Sequence, residues 1–155
     1  MRVFRGLEEL PEISNSVITI GSFDGVHSGH QRIIDRVKQL SSELKCENYI
    51  ITFDPHPRSI IYPRDKSLEL LSSLEEKIQL FKDLAIDNLV IVPFTIEFSQ
   101  ISAVEYIDKF IVKKFNPRYL VINFNIFTVL SPFGRTFFDF LTLISIKFPF
   151  VIIEL

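Results

Sequence analysis

The sequence holds a single cysteine, Cys46, so neither an internal disulfide nor a cysteine-built metal cluster is available to it. That scarcity suits a reducing compartment, and the expected location is cytoplasmic. An excess of charge is lacking too. The formal net charge is −2, which removes any bulk electrostatic argument for nucleic acid or an anionic membrane as a partner. A phosphate-bearing ligand would therefore need a local site. No stretch supplies the run of about 18 uninterrupted apolar residues that a membrane span calls for. The nearest approach, Thr136 to Leu155, is broken by Asp139, Lys147 and Pro149. At the N-terminus, Met1-Arg-Val-Phe-Arg-Gly-Leu-Glu-Glu-Leu-Pro11 puts charges where a signal peptide needs an apolar core. Neither an internal repeat nor a dividing linker is visible, so the 155 residues read as one domain.

What is present is apolar: 47% of the residues are hydrophobic. Eight of the 16 phenylalanines lie after residue 120, where charges thin out to Arg135, Asp139, Lys147 and Glu154. That end reads as a buried or abnormally exposed part of a soluble domain. Five short continuous runs read as strands covered on both faces: Val17–Ile20, Tyr49–Phe53, Leu89–Val92, Tyr119–Ile122 and Phe150–Ile153. Helical spacing lies between them. It shows at Ile33, Ile34, Val37, Leu40 and Leu44, then at Leu74, Ile78, Phe81 and Leu84, then at Val104, Ile107, Ile111 and Phe115. Capping boxes, Ser73-x-x-Glu76 and Ser102-x-x-Glu105, open the last two, and a further helix is expected over roughly Thr136 to Lys147. The alternation predicts an α/β protein with a doubly wound, mostly parallel five-stranded sheet, and ligands bind at the strand C-termini of such sheets. The proline-rich segment Asp54 to Ser72 is expected as a surface loop over that edge.

Directly after the first of these strands comes Gly21-Ser-Phe-Asp-Gly-Val-His-Ser-Gly-His30, and a helix follows at once. Glycine lets a backbone turn sharply and approach a ligand closely. A helix N-terminus offers free N–H groups and partial positive charge to phosphate. His27 and His30 straddle that terminus and can donate to phosphate oxygens. A glycine-rich turn alone is commonplace, but one Asp, two His and three Gly packed behind a buried strand is a rarer set. Thr52-Phe-Asp-Pro-His-Pro-Arg58 closes the second strand, and taken alone it is a proline-stiffened loop.

The segment His27-Ser-Gly-His30 resembles the HxGH signature of the nucleotidylyltransferase superfamily. All eight fixed positions of Gly-x-Phe-Asp-Gly-Val-His-x-Gly-His match the first motif of the bacterial bifunctional riboflavin kinase/FMN adenylyltransferases, the FAD synthetases. Residues 52–58 are similar to that family's TFDPHP motif. Arg5–Pro11 and Pro93-Phe-Thr-x-x-Phe-Ser99 with Ser102–Ile107 resemble its N-terminal segment and its PFT…FS…SAEEFI stretch. The resemblance implies a Rossmann-like nucleotidylyltransferase fold and transfer of AMP from ATP to FMN with Mg²⁺ present, giving FAD and pyrophosphate. It implies His27 and His30 as catalytic residues holding phosphate oxygens in the transition state. Gly21, Ser22, Phe23, Asp24, Gly25, Gly29 and His30 would form the nucleotide site, and Asp54, His56, Pro57 and Arg58 the flavin and ATP loop. Asp24 is expected to shape the turn, with a role near the metal left open. Partners are then small nucleotides and flavin.

Two departures accompany the match. Where the family carries a second glycine loop, G-Y-D-H-x-F-G-x-x-R-x-G, this chain reads Asn123 to Gly134, keeping in kind only Gly134 and an aromatic, Phe124. Asn125 and Pro132 replace charged residues. The chain also ends at Leu155, ahead of the family's serine-rich motif and β-barrel kinase domain, so a C-terminally incomplete adenylyltransferase domain without riboflavin kinase is expected. Two functions stay open: an FMN adenylyltransferase of reduced activity, and an inactive nucleotide- or flavin-binding remnant. A sister enzyme acting on pantetheine phosphate or nicotinamide mononucleotide fits the 52–58 motif poorly.

Overall fold

A computed structural model describes residues 1–65, 67–102, 105–123 and 151–154. Six parallel strands form one sheet: β1 (Arg2–Arg5), β2 (Ser16–Ile20), β3 (Glu47–Asp54), β4 (Asn88–Pro93), β5 (Pro117–Asn123) and β6 (Val151–Glu154). Their order is β1-β4-β3-β2-β5-β6, and every pairing is parallel. The α/β parallel architecture read from the sequence is confirmed. The five expected strands are all present, and β1 adds a sixth at the edge, where Arg2 reaches Glu47 at 2.6 Å and Asn88 at 2.8 Å.

The apolar runs are continuous because successive side chains face two separate cores. Val17, Ile50, Leu89 and Ile91 pack beneath α1 (Ser28–Leu44), against Ile33, Ile34 and Val37. The alternate residues Ile18, Tyr49, Ile51, Val90 and Val92 pack on the opposite face, against Tyr106, Ile107, Phe110 and Phe115. Helices on both faces thus hide every strand side chain at the sheet centre, and alternation of polar and apolar residues disappears.

The remaining described helices are α2 (Pro57–Ile61), α3 (Leu74–Asp83), α4 (Ile96–Ser99) and α5 (Tyr106–Phe115). A complete capping box opens α3, as expected: Ser73 accepts from the Glu76 N–H, and the Glu76 carboxylate accepts from the Ser73 N–H. At the second box only half is formed. Ser102 Oγ accepts the Glu105 N–H at 3.3 Å, while the Glu105 carboxylate pairs with Lys109 at 2.6 Å. The first part of α5, Tyr106–Val112, is a π-helix, so its turn is wider than the spacing of Ile107 and Ile111 implies, and Phe110 joins them in the core. Val104, the expected helix at Thr136–Lys147 and nearly all of the Asn123–Gly134 loop lie outside the described residues.

All strand C-termini share one edge. At that edge β2 is flanked by β3 on one side and β5 on the other, so the connections diverge from the end of β2, the usual position of a ligand crevice.

Candidate functional site

β2 runs out at Ile20, and the Gly21 N–H donates to the Ile51 carbonyl at 3.0 Å before the chain leaves the sheet. It then turns through a short 3₁₀ segment, Asp24–Val26. Phe23, Gly25 and Val26 have φ of 49°, 67° and 41°, in the left-handed region that side chains disfavour. For a β-branched residue such as Val26 this is costly, and strain of this kind gathers at functional sites. The sequence assigned backbone freedom to all three glycines of the loop, but of these three Gly25 alone uses it. A Cβ at Gly21 would meet the Phe23 ring at 3.0 Å, and one at Gly29 would meet the His27 ring at 3.2 Å. At both positions a neighbouring ring, rather than a positive φ, is what an added Cβ would press on.

α1 starts after His27 with no side chain capping its N-terminus. Its first-turn amides therefore lack a side-chain acceptor, as at an anion site. The His27 and His30 rings stack with centroids 3.7 Å apart, and the Phe23 edge meets His30 at 5.1 Å. Burial, reinforced by the neighbouring His27, pulls the His30 imidazole down to about 4. The Asp24 carboxylate opposes that fall and Lys77 adds to it. A neutral ring has one N–H to give, and His30 Nδ1 is buried with no hydrogen-bond partner.

Asp24 shapes the turn. Its carboxylate accepts the backbone N–H groups of Leu71 (2.9 and 3.0 Å) and Ser72 (3.1 Å), and the Ser72 hydroxyl lies at 3.3 Å. The Gly25 N–H donates to the same hydroxyl at 3.1 Å. The loop after β2 is thereby strapped to the end of the 54–72 segment.

The second motif arrives from β3. His56 caps α2, its Nδ1 accepting the Arg58 N–H at 3.2 Å, and Pro57 fills the first helical position. An accepting Nδ1 leaves the proton on Nε2 of the neutral ring. Burial lowers the His56 pKa, with the Lys77 charge next in effect. Arg58 is held by Asp65, at 2.7 Å through Nη2 and 3.0 Å through Nε. Hydrogen bonds from Ser67, and then the Arg58 guanidinium, hold the Asp65 carboxyl down to about 2.

The two motifs face one another across a cleft of about 940 Å³. Its polar lining includes Ser22, Asp24, His27, His30, His56 and Arg58, and its apolar lining includes Pro57, Ile61, Tyr62, Leu68 and Leu71. All three histidines of the chain are there. Gly21, Phe23, Gly25, Gly29 and Asp54 are not among its lining residues. The volume suits a nucleotide-sized ligand, and the mixture of apolar walls with few convergent polar groups is typical of small-molecule sites.

Residues 10–130 match the family described as FAD synthetase. The chain belongs to the FAD synthetase family. It is 36% identical over 98 residues to the bifunctional riboflavin kinase/FMN adenylyltransferase of Listeria monocytogenes, covering 63% of this chain and 31% of that protein. With the Buchnera aphidicola protein of the same description it shares 30% over 123 residues, covering 79% of this chain and 39% of that one. The chain thus spans about a third of the length of the curated relatives it matches. Among solved structures, a Streptococcus pneumoniae protein described as a macrolide-efflux protein superposes with a TM-score of 0.78 at 21% identity, over 99% of this chain and 50% of the other. A pantoate-beta-alanine ligase from Francisella tularensis gives 0.60 at 13%, over 99% and 66%. Identities this low establish the shared fold alone.

One buried charge beside the cleft was not legible in the sequence. Lys77 lies 6% exposed on α3, and its Nζ donates to the Ser22 carbonyl at 2.8 Å. The available signal was a charged residue on the apolar stripe made by Leu74, Ile78 and Phe81. Among the described residues no three His, Cys, Asp or Glu side chains gather as a metal site.

Proposed function

We propose that this chain is an FMN adenylyltransferase domain that transfers AMP from ATP to FMN, giving FAD and pyrophosphate. The observation that carries this reading is the single cleft shared by the His27–His30 helix start and the His56–Arg58 loop at the C-terminal edge of the sheet. In the reaction an FMN phosphate oxygen attacks the α-phosphorus of ATP. A new P–O bond forms, the bond to the bridging oxygen breaks, and pyrophosphate leaves with the electron pair. No covalent enzyme intermediate is needed, so the protein's work is positioning and charge stabilisation. In this reading the α1 amides, His27 and the neutral His30 donate to phosphate oxygens. The apolar wall at Ile61, Tyr62 and Leu71 suits a flat aromatic ring.

The described residues form no protein cage for Mg²⁺, since the Asp24 carboxylate is taken by Leu71 and Ser72. That ion commonly binds through substrate phosphates and would enter with ATP. Nucleotide and flavin substrates fit a cytoplasmic setting. Among the described residues no helix is long and apolar enough to cross a membrane.

The test is pyrophosphate release from ATP with and without FMN. FMN-dependent release that is weak beside an ordinary family member supports the proposal, the weakness following from the altered Asn123–Gly134 sequence. That same alteration favours the second reading, a binding module without turnover. Nucleotide binding without any FMN-dependent release would establish it.

A further inference from the structure

Lysine is among the residues least often fully buried, because its ammonium must give up water. Lys77 is nevertheless 6% exposed, on the face of α3 where Phe81 is fully buried. A helix selected for stability alone would carry Leu or Met at this position. The ammonium has a particular target: Nζ donates to the Ser22 carbonyl at 2.8 Å, and Thr52 Oγ1, from β3, donates to the same oxygen at 3.1 Å. A carbonyl oxygen has two lone pairs, and here both are taken by donors from different elements. Ser22 stands two residues before Asp24 and five before His27, so this oxygen fixes the direction in which the catalytic loop leaves the sheet.

We propose that Lys77 is a positioning residue of the cleft, one that with Thr52 locks the Ser22 carbonyl and so sets the placement of Asp24, His27 and His30. The geometry stands independently of the adenylyl-transfer reading, and only the kinetic part of its test rests on that reading. Electrostatics agree with it. Burial draws the Lys77 ammonium below its ordinary value, while the Asp24 and Asp54 carboxylates resist that fall. His30 feels the charges of His27, Asp24 and Lys77, and His56 those of Lys77, Asp24 and Arg58. In both imidazoles the lysine's positive charge favours the neutral form.

The test compares the full wild-type chain with Lys77→Met and Lys77→Arg. Met keeps the length and removes the charge, and Thr52 still bonds the Ser22 carbonyl, so that oxygen is not left without a donor. The expected result for Lys77→Met is a folded chain with a lowered thermal midpoint and displaced backbone shifts at Ser22, Asp24 and His27, and with the His30 and His56 imidazole midpoints, followed by NMR, moved upward. FMN-dependent kcat should fall by about tenfold or more, because the loop is misplaced, with a smaller change in KM. Lys77→Arg should leave the imidazole midpoints near wild type. Unmoved backbone amide and carbonyl shifts at Ser22, Asp24 and His27 in a folded Lys77→Met variant overturn the proposal, since a lost lock on the Ser22 carbonyl must displace them. Should that variant fail to fold, the wild-type chain decides: a slowly exchanging Lys77 ammonium signal coupled to the Ser22 carbonyl is expected at neutral pH, and its absence overturns the proposal. If wild type shows no turnover, the adenylyl-transfer reading fails, while the NMR measurements still judge Lys77.

Discussion

Both carboxylate oxygens of Asp24 accept the backbone N–H of Leu71, 47 residues further along the chain, at 2.9 and 3.0 Å. With Ser72 this bond makes two separate loops into the two sides of one cleft. Asp24→Asn keeps the shape but turns an NH₂ group toward the donors. Charge-assisted bonds of this kind contribute about 1–3 kcal/mol. The amides of Leu71 and Ser72 should therefore exchange with solvent roughly tenfold faster or more, while those of β3 stay protected. Native-state hydrogen exchange resolved by residue checks this, and unchanged protection at Leu71 would refute the clamp.

Two glycine substitutions should part company. At Gly25 a side chain would have to sit at φ +67° with its Cβ 2.9 Å from Leu71 Cβ, so Gly25→Ala should cost about 1–3 kcal/mol and displace residues 70–72. At Gly29, inside α1, an added Cβ meets the His27 ring at 3.2 Å, and alanine improves helix propensity by up to about 1 kcal/mol. Gly29→Ala should leave stability near wild type while weakening ATP binding through the His27–His30 stack. Denaturant unfolding and calorimetric titration separate the two effects.

Stability should depend on pH through His30. Its folded midpoint is about 4, against about 6.5 for an unfolded histidine. Between these values the unfolded chain holds more protons, so stability rises with pH. The contribution is complete above about 6.5 and is lost as pH falls through 4. The ring is only partly shielded from solvent, so about 1–2 kcal/mol is expected after screening. Thermal midpoints of wild type should fall more steeply over this window than those of His30→Gln. Parallel curves would count against a neutral buried His30.

Removing the first histidine probes function with little structural cost, because the His27 side chain caps no helix and lines the cleft. His27→Ala should keep the unfolding free energy within about 0.5 kcal/mol of wild type. Loss of a donor to a transferring phosphoryl group should cost about 10²–10³ in FMN-dependent kcat. Full retention of turnover would remove His27 from the mechanism.

Most of the sheet was legible because β2 to β5 are covered on both faces and leave unbroken apolar runs. β1 was hidden by its place at the edge, where Arg2 and Arg5 are exposed and only Val3 and Phe4 turn partly inward. Edge strands commonly carry such charges. The two motif loops were visible because glycine, proline and histidine are concentrated in them. What could not be read was the wall formed by Tyr62, Leu68 and Leu71, which no local pattern marks and which the distant Asp24 anchors. Lys77 escaped for the opposite reason: in a periodic helix, charge reads as the wet face, and here it points to a buried carbonyl.

The pairing of β2 with β5 bears on how the cleft comes into being. Val17 lies against Tyr119, and the Ser16 hydroxyl bonds the Phe115 carbonyl at 2.8 Å, both joining residues about a hundred positions apart. Closing so long a loop costs chain entropy before any contact rewards it, which makes such a pairing slow. The β5 flank of β2 is therefore expected to close after the cleft's own walls, whose lining residues all fall between positions 22 and 71, so a ligand held by those walls could bind before the β5 seam is sealed.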